Sequence, residues 1–210
     1  LVIVVPASIG IALVADPLVR VVLGTKWGEA VPVIQLLSFA GVVHGILSNN
    51  AAAYVALGRP HLTTVNLITR LICLASGLLL LVLFDRVTLV SLVAAELAAG
   101  IAALFVSYPL LFVSLRISVR QYLAALWRPL TASGTMALAV AAVMGAVGQG
   151  DGFVGALARL AAGVASGLGS YALALWILWR LSGRPRSVEV ELARFAMSIY
   201  RSAIGRYFVK

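Results

Sequence analysis

Hydrophobic positions in this chain come in long unbroken runs, without the polar interruptions that mark the solvent face of a soluble helix or strand. A hydrocarbon core about 30 Å thick is crossed by about 20 mostly apolar helical residues. Six segments meet that length: Leu1–Leu23, Val31–Leu57, Leu62–Phe84, Leu89–Leu115, Pro129–Val147 and Phe153–Trp179. They show no alternation of lipid-facing and lumen-facing residues, so they predict spanning helices and not barrel strands. The connections "GTKWGEA", "GRPH", "DR" and "GQGDG" allow only an antiparallel return. The remaining one, "RISVRQYLAALWRP", is long enough for a brief helix at the membrane surface. Pro129 is then expected in the first turn of the next span, where its missing N–H costs nothing. The fold class expected is all-α, a polytopic membrane helical bundle of six transmembrane helices over residues 1–180, with a tail over 181–210.

Composition agrees: 62% of the 210 residues are hydrophobic and 11% charged, where a soluble domain is about half apolar and about a quarter charged. The net charge of +9 points, on so apolar a chain, to loops facing an anionic leaflet and not to nucleic acid. The lone cysteine, Cys73, lies inside an apolar run, so no internal disulfide and no zinc-type ligand cluster is expected, and no cofactor. The chain opens in mid-run without a basic segment, unlike a signal peptide, and is read as the C-terminal portion of a longer protein.

Basic residues alternate by side. One side holds Arg59, then Arg116, Arg120 and Arg128, then Arg180, Arg184, Arg186, Arg194, Arg201, Arg206 and Lys210. The other holds Lys26 and Arg86, each near an acid, Glu29 or Asp85. The bias of Lys and Arg toward cytoplasmic loops puts the tail and the "GRPH" turn in the cytoplasm. Within the tail, Leu192, Phe195, Ile199, Ala203 and Tyr207 recur at helical spacing among Arg194, Arg201 and Arg206. That pattern suits an amphipathic helix in the interface; a solvated tail is the alternative.

Charges inside spans are costly, and their ordinary use is a polar interior or a pathway. Arg70 shares a stripe with Asn66, Cys73 and Gly77; Glu96 with Gly100, Ala103 and Ser107; Arg159 with Gly155, Gly163 and Gly167. Small polar stripes of this kind suit close helix packing or a cavity wall. Arg70, Glu96 and Arg159 are therefore candidate cavity residues. For each arginine, snorkelling to a membrane boundary or structural pairing competes with ligand contact. Asp16 and Arg20, four apart, are candidates for a pair on one helix face. Glu96, a short acid that snorkels poorly, has three roles open: pairing with an arginine of another helix, remaining protonated, or coupling an ion. Asn49 and Asn50 are candidate cavity residues too, or an interhelical hydrogen-bonding site. His44 reads first as a hydrogen-bonded packing residue. No nucleophile elbow, P-loop, H-E-x-x-H or acid cluster is present, so these residues carry no enzyme signature and no metal site.

The stretch "PASIGIALVADPLVRVVLGTKWGEAVPVIQLLSFAGVVHGILSNNAAAYVALGRPHLTTVNLITRL" resembles the C-terminal half of polysaccharide and lipopolysaccharide biosynthesis flippases, oligosaccharide flippases of the multidrug/oligosaccharidyl-lipid/polysaccharide exporter superfamily. The resemblance is carried by Pro6, Gly10, Ala12, Leu13, Ala15, Pro17 and Leu18, then Gly24, Lys26 and Trp27, then Ala56, Gly58, Arg59 and Pro60. "SVRQYLAALWRPLTASGTMALAV" resembles the family's penultimate linker and helix. What the resemblance implies is a helical lobe, most of the C-terminal one of a two-lobe transporter working by alternating access. It implies a polyprenyl-pyrophosphate-linked oligosaccharide as cargo in a bacterial cytoplasmic (inner) membrane. It also implies partners: the missing N-terminal lobe, membrane lipids, and polysaccharide polymerase and assembly proteins. Two other readings stand beside it: an ion-coupled small-molecule exporter, with Glu96 as the critical acid, and a non-transporting membrane scaffold for polysaccharide assembly.

Overall fold

The computed structural model describes residues 2–115, 118–148 and 152–181; the amphipathic pattern expected in the tail lies outside them. The described residues form helices and no strand: α1 Val4–Leu13, α2 Ala15–Val22, a 3-10 turn Thr25–Trp27, α3 Ala30–Ala56, α4 His61–Leu83, α5 Leu89–Leu115, α6 Val119–Ala146 and α7 Gly152–Leu181. Five are long and apolar enough to cross a membrane, and α1 with α2 makes a sixth if counted as one bent span. This is an all-helical bundle with the lengths and composition of a multi-pass membrane protein. The chain divides into two units, Leu1–Leu175 and Trp176–Lys210; in the described part of the second, the Arg180 guanidinium lies 4.1 Å from the Trp176 ring centroid.

The first expected span is not one helix. It breaks at Val14 (φ −98°, ψ 13°), and α2 leaves α1 at 72°. Pro17 has no N–H to give the carbonyl of Leu13 four residues back, and its ring crowds that carbonyl, so the helix must restart around it. Gln35 of α3 donates through Nε2 to the Ala12 carbonyl at 3.3 Å, supplying a partner beside the break. Pro129 also departs from its expected place in a first turn. It lies inside α6, which begins at Val119, so the expected surface helix and the span after it form one helix, apolar enough to cross over Leu126–Ala146. Around the proline, Ser133 Oγ donates back to the Pro129 carbonyl at 2.7 Å and Thr131 Oγ1 to that of Trp127 at 2.8 Å.

The short connections are built from local hydrogen bonds. After α3, Gly58 (φ 68°) takes the left-handed conformation, and the N–H groups of Gly58 and Arg59 close on the carbonyls of Val55 and Tyr54. That is the six-to-one closure glycine permits at a helix end. Asp85 (φ 49°) makes the same closure after α4. Thr88 and Ser91 then exchange backbone and side-chain hydrogen bonds at the start of α5, a reciprocal cap that satisfies donors the helix leaves free.

Packing is inverted relative to a water-soluble domain. Ala15, Ala99, Ala103, Ala132, Ser107 and Ser133 are buried, whereas Phe105, Val113, Leu138 and Leu168 stand exposed. Small residues inside let backbones approach, and large apolar ones outside suit lipid. α5 lies between α3 and α4, and α1 packs on α3 and α6. A Cβ at Gly45 would sit 2.6 Å from a Val4 methyl, one at Gly100 2.8 Å from a Val43 methyl, and one at Gly163 2.7 Å from the Met144 methyl. Val14, at the elbow, joins Met136 and Val140 in the buried apolar cluster where α6 and α7 meet it.

Candidate functional site

Among the described residues, three groups of polar side chains link the spans to one another. The first is the Arg70 stripe of α4 against the Glu96 stripe of α5. Arg70 Nη2 pairs with Glu96 Oε1, and His44 of α3 brings Nε2 to 3.8 Å from the same oxygen, outside hydrogen-bond distance. The acid and the arginine keep 25% of their side-chain surface accessible, and His44 keeps 55%. Of the three roles open to Glu96, the structure places it beside an arginine of another helix. Arg70 spends its charge on that acid and does not reach for a boundary. His44 is half open and not a packed core residue. Together they form a charged, partly open group in the interior of three spans.

The second place lies farther along the same stripes. Asn50 Nδ2 and Asn66 Nδ2 each donate to Ser107 Oγ at 3.0 Å, and the Tyr54 hydroxyl donates to the Ser107 carbonyl at 2.7 Å. Tyr54 and Ser107 are fully buried and Asn50 is 1% exposed. The Ser107 hydroxyl accepts two amides and faces the phenol at 3.2 Å, which leaves it no capacity for a ligand. Asn50 therefore serves as the interhelical hydrogen-bonding residue, and Asn49 beside it is exposed. Sequence reading missed Tyr54. Its signal was the four-residue step from Asn50, which puts a second polar group on the same helix face.

The third place is at the bundle end that holds the α1–α2 elbow. Asp16 Oδ1 accepts from Arg20 Nε at 2.9 Å, the pair expected from their spacing. Its other oxygen lies 3.6 Å from Arg159 Nη1 of α7, and Arg159 Nη2 donates to the Met144 carbonyl at 3.0 Å. Arg159 is thus anchored between α6 and the elbow, with 18% of its side chain accessible. No sequence spacing announces that link, since it is made by the bend at Val14. A cavity of about 270 Å³ opens here, lined among others by Asp16, Arg20, Thr25, Phe153 and Arg159.

The described residues hold no group of three His, Cys, Asp or Glu side chains able to bind a metal. No protein-family model, curated protein or solved structure matches the chain.

Proposed function

We propose that this chain forms most of the C-terminal lobe of a flippase that moves a polyprenyl-pyrophosphate-linked oligosaccharide across a bacterial cytoplasmic membrane for cell-surface polysaccharide synthesis. The observation that carries the reading is the Arg70–Glu96 pair with His44 beside it, partly open in the interior of α3, α4 and α5. A guanidinium and a carboxylate with a quarter of their surface open do not face hydrocarbon; such groups face water or a polar chain. A headgroup of sugars and phosphates needs a polar wall of that kind, while its lipid tail stays in the bilayer. Binding between two helical halves that rock about a fixed site is the general transporter arrangement. Arg70 is the group that meets the pyrophosphate, by charge-assisted hydrogen bonds. Glu96 holds it until the anion arrives.

An exporter of small cations would need an acid free to take the cation, and Glu96 Oε1 is already engaged by Arg70. Connections at one bundle end carry Arg59 and at the other Lys26 with Glu29 and Arg86 with Asp85, an imbalance that favours a cytoplasmic side for the Arg59 end. The test is leaflet-resolved transport of a fluorescent polyprenyl-pyrophosphate oligosaccharide in proteoliposomes by the full-length gene product and its Arg70→Gln variant. A fall of roughly tenfold or more in the variant's initial rate is expected for a lost charge-assisted contact. An unchanged rate removes Arg70 from the path, and no transport with several glycan headgroups by a folded full-length protein favours the scaffold.

A further inference from the structure

We infer that the cavity between the α1–α2 elbow and the first turns of α7 binds the phosphate group of an anionic lipid. Among the described residues, its wall holds two guanidinium groups and one carboxylate, Arg20, Arg159 and Asp16. Asp16 does not exhaust the donors around it. Arg20 uses only Nε on the acid, and Arg159 Nη1, at 3.6 Å, is beyond hydrogen-bond distance from it. A guanidinium carries five N–H donors in a fixed fork whose geometry matches phosphate oxygens. Both Nη groups of Arg20 and Nη1 of Arg159 are left for an incoming anion. Gly152, Phe153 and Gly155 bring the start of α7 to the same wall, and a helix of that length presents the positive end of its dipole there.

The rim identifies the ligand as amphiphilic. Phe153 lines the cavity with an exposed apolar side chain, and Val22, Leu23 and Val154, close in sequence to its lining residues, are exposed as well. The 72° elbow tilts α2 steeply away from α1, and the cavity opens where spans begin and end, so a phosphate can enter it while its acyl or prenyl chains stay against the apolar rim. A membrane phospholipid and a polyprenyl pyrophosphate share this chemistry. Binding here is independent of transport through the Arg70 region.

Asp16 makes the test directional. It competes with an anion for the same two arginines, so its removal strengthens binding if the cavity is an anion site. If the three residues only hold the elbow to α7, its removal has no such effect. The protein in detergent micelles is titrated by native mass spectrometry with phosphatidylglycerol, polyprenyl pyrophosphate and inorganic phosphate. Arg20→Gln is expected to weaken binding by roughly tenfold, Arg20→Lys by less because it keeps the charge and loses the fork, and Asp16→Asn to tighten it. Lys26→Gln removes one positive charge from the same end but does not line the cavity, and is expected to leave affinity within about twofold. Arg20 and Asp16 are 46% and 38% accessible, so neither change empties the core; thermal unfolding verifies each variant. The pattern with phosphatidylglycerol assigns the site to bilayer lipid, with polyprenyl pyrophosphate alone to the carrier lipid, and with inorganic phosphate equally well to the phosphate group without its chains, which overturns the lipid assignment. Equal losses in Arg20→Gln and Lys26→Gln, or an Asp16→Asn variant that binds no more tightly than the parent, overturn the site.

Discussion

The same three helices build two polar groups that differ in kind. Along α3, α4 and α5, Arg70, Glu96 and His44 keep much of their surface open, while Asn50, Tyr54 and Ser107 are shut away at 1% exposure or less. Both use the same stripes, since Arg70 follows Asn66 by four residues and Glu96 precedes Ser107 on the small-residue face of α5. What differs is capacity. The buried group is neutral, and its central hydroxyl is saturated by two amides and a phenol. The open group is ionic and retains guanidinium donors and a half-open imidazole. A neutral node built on one saturated hydroxyl fixes helix register, even with the Asn50 and Asn66 amide oxygens left unpartnered; an ionic one with spare donors can exchange partners.

If the node fixes register, Ser107→Ala costs more stability than Gly100→Ala, Glu96→Gln or His44→Cys. It strands the amide groups of Asn50 and Asn66 in a dry interior, where a lost partner costs about 1–3 kcal/mol each in soluble proteins. Interhelical hydrogen bonds in membranes average less, about 0.6 kcal/mol, because the unfolded state in lipid also finds partners. Between those limits, a loss of about 2–3 kcal/mol is expected for the two amides together. Denaturation of the reconstituted protein in sodium dodecyl sulfate measures it. A loss no larger than that of Glu96→Gln would erase the distinction between the two groups.

Gly100 lies between them on α5 and comes next. A Cβ there would stand 2.8 Å from the Val43 methyl, so Gly100→Ala has to push α3 from α5 or turn Val43, at about 1–2 kcal/mol for overpacking a tight contact. Because Val43 adjoins His44, the change also moves the imidazole relative to Glu96. Retained stability in the same denaturation, with transport unchanged, would mean that α3 and α5 are less tightly coupled than their approach implies.

Much of this was legible in the sequence, and the reason is physical. Where lipid surrounds a helix, small and polar residues have one useful direction, toward other helices, so the stripes through Arg70 and Glu96 could be read from spacing alone. The pair itself was one of three roles left open for Glu96, and the packing of α4 on α5 selects it. Asp16 and Arg20 were legible because their contact is local. The elbow was not, since Pro6, Pro17, Pro109 and Pro129 all sit in apolar runs and only the one at Pro17 is accompanied by a sharp break. Sequence does not announce the tertiary contact of Gln35 with the Ala12 carbonyl beside the break. The Arg159–Asp16 link depends on that elbow and was hidden with it. Ser107 was noticed for its size, but its hydroxyl's role as shared acceptor required knowing that Asn50, Tyr54 and Asn66 meet there.

Glu96→Gln tests the open group directly. Removing a partner from a fully buried ion pair costs about 3–5 kcal/mol, and from an exposed one about 0–1. With a quarter of each side chain accessible, the open group should fall near the lower range, at about 1 kcal/mol, because water can solvate the freed guanidinium. A loss of several kcal/mol would mean that the pair is sealed in the intact protein and serves as scaffold. In the transport assay the same variant should bind the anionic cargo more tightly, since Arg70 no longer has a competitor.

The smallest effect on stability, and the most direct reading of water, comes from His44. Its side chain is 55% accessible and makes no hydrogen bond, so His44→Cys in a Cys73→Ser background should change stability by about 0.5 kcal/mol or less. The new thiol then reports its surroundings. Only the thiolate reacts with a maleimide, and a thiolate does not form in hydrocarbon or in a dry interior. Cysteine at position 44 should therefore label with a membrane-impermeant maleimide faster than cysteine at position 50 by on the order of 100-fold. Lipid over His44 would abolish that difference and make both positions inert, and the face of α3, α4 and α5 would then be an outer wall of the bundle. Labelling at 44 that slows when lipid-linked oligosaccharide is added would tie the open group to the cargo, because a headgroup against Arg70 must also cover the neighbouring residue on α3.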